Sequence, residues 1–243
     1  MRARRLASAV VVASLTVGGL SACRSQPTVA AYYGDSGQVS EQQVQEIWDE
    51  AHDALSAQPR AEGNAPVQMP FSRADVVHAL VLRQILQQMA QQHRVTLPAG
   101  LPFEEAAAEQ NLPADSEYVR LRVENGVLRN LLTEQMSTQN AQPSETDLRT
   151  VYDVLAANGG VPPGTDFAAW NAQVTPQNKQ LVAGAATMRD EMQEVAEDLR
   201  VDVNPRYQPF ELNLLSAGGG QQTLDLIDAR FGADQQVPVA DVN

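Results

Sequence analysis

Phe71-Ser72-Arg73-Ala74-Asp75-Val76-Val77-His78-Ala79-Leu80-Val81-Leu82-Arg83-Gln84-Ile85-Leu86-Gln87-Gln88-Met89-Ala90-Gln91-Gln92 is the most apolar helical stretch of the chain beyond its N-terminal leader. Ser72 stands where a helix cap belongs, Asp75 follows three residues on, and Phe71 and Val76 occupy the two positions of a hydrophobic staple. Val76, Val77, Leu80, Val81, Ile85, Leu86 and Met89 then spread over well over a third of the circumference. A face that wide predicts a helix at the centre of the packing rather than on its rim.

Outward from this helix the same signals recur on both sides. Upstream, Gln58 to Pro70 holds Pro59, Gly63, Pro66 and Pro70 and reads as a loop. Before it, Ser40 with Gln43, stapled by Val39 and Val44, starts a helix that runs to about Ala57 with Val44, Ile47, Trp48, Ala51 and Leu55 on one face. Downstream, Pro98, Gly100 and Pro102 break the pattern, and Glu104 to Gln110 is a short alanine-rich helix. Ser116 to about Ser137 carries a long apolar stripe, and Ser144-Glu145-Thr146-Asp147 opens a further helix that Asn158-Gly159-Gly160 closes. Asp166 to Asn171 is a brief helical turn around Phe167 and Trp170. Thr175-Pro176, a cap followed by proline at the first helical position, begins the last long helix. Leu181, Val182, Ala185, Met188, Met192, Val195 and Leu199 line its apolar face.

Short strands bracket these helices. Val29 to Tyr33 ends at the turn Gly34-Asp35-Ser36-Gly37, and Val201-Asp202-Val203 alternates before Asn204-Pro205-Arg206-Tyr207 stops it. Three stretches together resemble the SurA N-terminal-domain family of extracytoplasmic chaperones, which includes the PrsA-type lipoprotein foldases. They are Ala30-Ala31-Tyr32-Tyr33-Gly34 leading into Val39-Ser40-Glu41 and helix, the Val76 to Gln92 helix with its Pro-containing follow-on, and Val201 to Tyr207. The resemblance covers most of residues 28 to 207. It implies an N-terminal strand paired with a strand that follows the last long helix, so that Tyr32 and Val203 lie on paired strands. It also implies an open helical lobe that holds unfolded clients. Members of this group often carry a parvulin prolyl isomerase domain with histidines in its active site. Here only about sixty residues separate Gln142 from the closing strand, they read largely as helix, and they contain no histidine, so isomerase activity is not expected.

The leader is an address. Arg2, Arg4 and Arg5 precede an apolar run from Leu6 to Leu20, the layout of a secretory signal, too short for an ordinary membrane span of roughly 20 apolar residues. Leu20-Ser21-Ala22-Cys23 holds the only cysteine and resembles the lipobox of bacterial lipoproteins. By that resemblance the chain is cut before Cys23 and its sulfur carries diacylglycerol, with acyl chains such as palmitate. Such an anchor holds the mature chain at the extracytoplasmic face of the membrane, each buried methylene contributing about 0.8 kcal/mol. The alternative is a plain secretory signal with an incidental cysteine.

Charge narrows the partners. The chain has 17 Lys+Arg against 30 Asp+Glu, and without the three leader arginines the balance is 14 to 30, a net charge near −16. Nucleic acid is a poor partner for such a surface, because binding it rests on clustered Lys and Arg. Acidity also repels anionic lipid, so the body is expected to stand off the membrane to which its anchor holds.

No catalytic constellation is legible. His52, His78 and His93 read as ordinary partly exposed histidines on or beside different helices, with no i,i+4 pair. Asp190, Glu191, Glu194, Glu197 and Asp198 lack the Gly-containing loop of a calcium motif and read as the wet face of the last helix. Gly218-Gly219-Gly220 has no Lys-Ser/Thr after it and reads as a flexible link, followed by a weak helix near Leu224 to Ala229. Neither metal nor cofactor is expected, nor enzymatic activity.

The expected architecture is mainly α, an open multi-helix lobe with a small two-stranded β pairing of N- and C-terminal segments. Its boundaries are a signal peptide at 1–22, a lipidated tether at 23–28, a helical chaperone-like domain at 29–207 and a flexible tail at 208–243. The expected function is a membrane-anchored chaperone-like lipoprotein that binds apolar segments of unfolded or newly secreted proteins. The client surface is assigned to Val77, Leu80, Val81, Met89, Met188 and Met192, on the helices from Val76 to Gln92 and Pro176 to Arg200. A non-catalytic envelope scaffold with one defined partner is the alternative.

Overall fold

The computed structural model describes residues 26–58, 67–137, 142–219 and 222–232. Val29, Ala30 and Ala31 are buried at the start of β1 (Val29–Tyr33), which doubles back through Gly34-Asp35-Ser36 into β2 (Gly37–Ser40). Gly34 takes a left-handed φ of 59° in that turn. Gly37 faces Tyr33, and a β-carbon there would stand 2.7 Å from the Tyr33 carbonyl oxygen and collide with its ring. The other edge of β1 pairs antiparallel with β3 (Asp202–Val203), Ala31 opposite Val203 and Tyr32 opposite Asp202. The expected closure of the chain ends is thus present, and β2 makes the sheet three-stranded, in the order β2-β1-β3.

Between these strands lie α1 (Glu41–Ala57), α2 (Arg73–His93), α3 (Phe103–Gln110), α4 (Glu117–Ser137), α5 (Glu145–Ala157), α6 (Phe167–Gln173) and α7 (Pro176–Asp198). The protein is mainly helical, with small antiparallel sheets. Helix ends follow the local chemistry of the sequence. Ser72 with Asp75, and Ser144 with Asp147, form reciprocal capping boxes, while Ser40, Asp166 and Thr175 cap α1, α6 and α7. Arg94 and Asn111 end α2 and α3 in the left-handed conformation.

The lobe is closed, not open. α2 packs against α1, α4 and α7, and the apolar stripes of all four join the small sheet in one core. Ile85, Leu86 and Met89 of α2, Leu121 and Leu132 of α4, and Met188 and Met192 of α7 are among its largest fully buried side chains. Each such side chain stabilises the fold by about 1.5–3 kcal/mol through apolar burial, which is what a wide stripe accomplishes when it finds a facing stripe. A polar seam ties the sheet end together. His78 Nε2 donates to the Tyr207 carbonyl oxygen at 2.6 Å, and its ring stacks on Phe210 at 4.3 Å. The Tyr207 hydroxyl donates to Glu41 Oε2 at 2.6 Å, and Arg206 pairs with the other oxygen of Glu41.

Residues 210–219 and 222–231 do not form a flexible tail, and the expected weak helix near Leu224 to Ala229 is a strand. β4 (Phe210–Gly219) and β5 (Gln222–Phe231) make an antiparallel hairpin that packs on α7 and α5. Its register explains the missing period. Phe210 and Leu212 pair with Phe231 and Ala229 on the inner face, but beyond the irregularities near Leu214 and Leu226 the inner pairs become Leu215 with Ile227 and Ala217 with Leu224. One extra residue on each strand shifts the inward parity from one alternate set to the other. This hairpin, α5 and the N-terminal half of α7 build a second cluster around Leu148, Val151, Val182, Ala186, Leu226 and Ile227. Residues 233–243 lie outside the described residues.

Candidate functional site

Cys23, the expected lipidation site, lies outside the described residues. Among those described, no helix is long and apolar enough to cross a membrane.

The six residues assigned to a client surface are not on a surface. Val77, Val81, Met89 and Met192 are 0% exposed, Met188 2% and Leu80 6%. Each belongs to the main core. Periodicity identified the apolar faces correctly, but whether such a face is covered depends on what packs against it. The stripes of α1, α2, α4 and the second half of α7 cover one another.

Apolar lining survives at another place. A cleft of about 420 Å³ opens between the second half of α5, the loop after it, α6, the start of α7 and the outer half of the hairpin. Val151 and Leu155 come from α5, Pro162 from the loop, Trp170 from α6, Leu181 and Val182 from α7, Leu215 to Ala217 from β4 and Leu226 from β5. Gln173, Asn178 and Ser216 supply polar groups to the lining. Leu181 is 55% exposed, the one large hydrophobic side chain so exposed among the described residues. Exposed apolar surface gathered at a concavity marks interaction sites more often than scattered surface leucines do.

Local chemistry holds the walls in place. The Thr175 hydroxyl accepts from the Asn178 backbone N–H at 3.2 Å and sets the first turn of α7, which carries Leu181 and Val182 into the lining. Tyr152 packs against Trp170 at 5.6 Å and edge-on against Phe167 at 5.7 Å, and its hydroxyl donates to the Thr165 carbonyl at 2.8 Å. The Arg149 guanidinium covers Phe167 at 4.2 Å. These contacts fix α6, and with it Trp170, against α5.

An ion pair between the buried Asp147 and the partly buried Arg189 clamps α5 to α7. Arg189 reaches Asp147 Oδ1 at 3.0 Å and Asp190 at 2.6 Å, and Asp147 is buried. Burial alone raises the Asp147 carboxyl, but the Ser144 hydrogen bonds and the Arg189 guanidinium outweigh it and hold the group below the ordinary Asp value. At Arg189 burial opposes the charge, and the bonds to Asp190 and Asp147 overcome it, so its pKa stands above the ordinary value.

Each histidine has its own partner, and one of them meets the acidic run. His78 and His93 share α2 rather than lying on different helices, one bonded to Tyr207 and the other paired with Glu191 of α7. His52 stacks on Trp48 at 5.1 Å on α1. Asp190, Glu191, Glu194 and Asp198 line a groove beside His93. Among the described residues, no three His, Cys, Asp or Glu side chains stand close enough to hold a metal ion.

Sequence reasoning does not reach the cleft because part of its wall, Leu215 to Ala217 and Leu226, comes from the hairpin. In the sequence Trp170 reads as part of a short helix and Leu181 as the first residue of the α7 stripe, with nothing to bring them together. The signal is present in the sequence: Phe210-Glu211-Leu212-Asn213-Leu214 and Leu224-Asp225-Leu226 alternate on either side of a glycine-rich stretch. No protein-family model, curated protein or solved structure matches the chain.

Proposed function

We propose that the protein is a lipid-anchored extracytoplasmic binding protein of chaperone type, which holds short apolar segments of newly secreted chains in the α5–α6–α7–hairpin cleft and performs no prolyl isomerisation. The single observation that carries this reading is the cleft itself, with Leu181 exposed at an apolar concavity while the six residues expected to face clients are consumed by the core. Its volume is at the small end of the about 300–1,000 Å³ usual for ligand pockets, which suits a few side chains of a client rather than a whole collapsing chain.

The resemblance of Leu20 to Cys23 to a lipobox supports the anchor, and the fold supports an orientation. Cys23 stands six residues before Val29, a reach of at most about 20 Å, so the small sheet stays near the bilayer. Gly34 at the end of β1 bonds the Leu199 carbonyl at the C-terminal end of α7. Leu181 and Val182 are on the opposite half of that helix, about 25 Å away at 1.5 Å per residue. The cleft is therefore offered away from the sheet end.

A scaffold that docks one defined partner is the second reading, favoured by the burial of the six residues first assigned to clients. Aggregation assays with several unrelated unfolded clients separate the two. Suppression of most of them at near-stoichiometric protein, lost on Leu181→Asp, supports the chaperone reading. No suppression, with tight one-to-one binding of a single envelope protein, replaces it with the scaffold.

A further inference from the structure

We infer that the cleft takes its ligand as an added β-strand: an extended segment of another protein, neutral or basic, pairs its backbone with the free edge of β4 and drops alternate apolar side chains against Leu181 and Trp170. This deepens the proposed function and rests on it. Two observations carry the inference. Leu215, Ser216 and Ala217 are consecutive in β4, yet all three border the cleft. The irregular register between Leu215 and Ser216 breaks the alternation of faces there, so consecutive residues of β4 border one concavity. Among the described residues, β4 pairs with β5 alone, which leaves one row of its backbone groups without a strand partner. An unpaired edge of this kind is a template for an incoming strand, with backbone bonds for affinity and flanking pockets for side-chain choice.

Charge selects the occupant. The chain carries 17 basic against 30 acidic side chains, and Asp225 lies directly across the hairpin from Ser216. An acidic segment is repelled, and a second copy of this acidic chain is a poor occupant for the same reason. A segment of alternating apolar and neutral or basic residues fits both the apolar wall and the field.

The test is fluorescence anisotropy on the purified full chain with a labelled peptide alternating leucine and serine, with arginine at both ends. A second peptide has the same side chains but N-methyl groups on alternate amides along one edge, and a third has glutamate at its ends. Expected are binding of the first peptide, at least tenfold weaker binding of the N-methylated peptide, and weaker binding of the glutamate peptide at low salt. Leu181→Asp should weaken the first peptide at least tenfold with an unchanged far-UV spectrum. Equal binding of the methylated and unmethylated peptides overturns strand addition while leaving an apolar cleft in function. Binding of neither overturns both readings. A tenfold gain in affinity on ending the chain at Gly232 would make the chain's own C-terminal segment the occupant, and dimerisation that competes with the peptide would make it a second copy; either result overturns the inference.

Discussion

Met192→Ala tests whether the apolar stripe of α7 is core or client surface. Met192 is 0% exposed and lies in the cluster that joins α2, α4 and the small sheet. Truncating a buried methionine to alanine costs about 2–5 kcal/mol, from lost transfer energy and the cavity left behind. Alanine's better helix propensity returns only a few tenths of a kcal/mol in α7. For a domain of this size each kcal/mol lowers Tm by roughly 2–4 °C, so the expected drop is about 4–20 °C. The matched control is Leu181→Ala on the same helix, where 55% exposure limits the effect on stability to about 0.5 kcal/mol. Urea unfolding followed by circular dichroism gives both values, and peptide or client binding is measured on the same preparations. The expected pattern is crossed: Met192→Ala loses stability and keeps binding below its Tm, whereas Leu181→Ala keeps stability and loses binding. A cost under about 1 kcal/mol for Met192→Ala, accompanied by lost client binding, would refute the closed core and restore the open lobe.

Replacing Ala31 and Val203 by cysteine in a Cys23→Ser chain should give an intramolecular disulfide under mild oxidation, because directly opposed antiparallel residues have Cα atoms about 4.5–5.5 Å apart; a gel showing only free thiols would reject the β1–β3 pairing. The Asp147–Arg189 clamp predicts an acid dependence. The folded Asp147 pKa is depressed, so its stabilisation is fully present above the unfolded value of about 3.9 and is lost as pH falls through the lower folded value. Asp147→Asn should therefore be less stable than the parent at pH 7, by about 1–3 kcal/mol, with the gap narrowing in urea titrations below pH 4; a gap that widens toward low pH would reverse the assignment. Cys23→Ser should yield an unprocessed or released protein, and metabolic labelling that finds the mutant acylated and membrane-bound like the parent would remove the anchor from the account.

Local chemistry in the sequence determined where helices begin and end. Ser72 with Asp75, Ser144 with Asp147, and Thr175 before Pro176 act within one turn, so their caps are readable without knowing the fold. The pairing of β1 with β3 was reached by resemblance, and the structure places Ala31 opposite Val203. Tertiary structure alone decided which apolar faces are covered. Val77 and Leu181 both belong to stripes at helical spacing, yet one is 0% and the other 55% exposed, because the main core closes over the first while the second borders the cleft. The hairpin was hidden for a related reason. A strand announces itself by period two, and the irregularities near Leu214 and Leu226 shift that period on both strands at once. Residues 210–219 and 222–231 therefore carry only a broken alternation by themselves and become a wall of the cleft only when α5 and α7 supply the surface on which they pack.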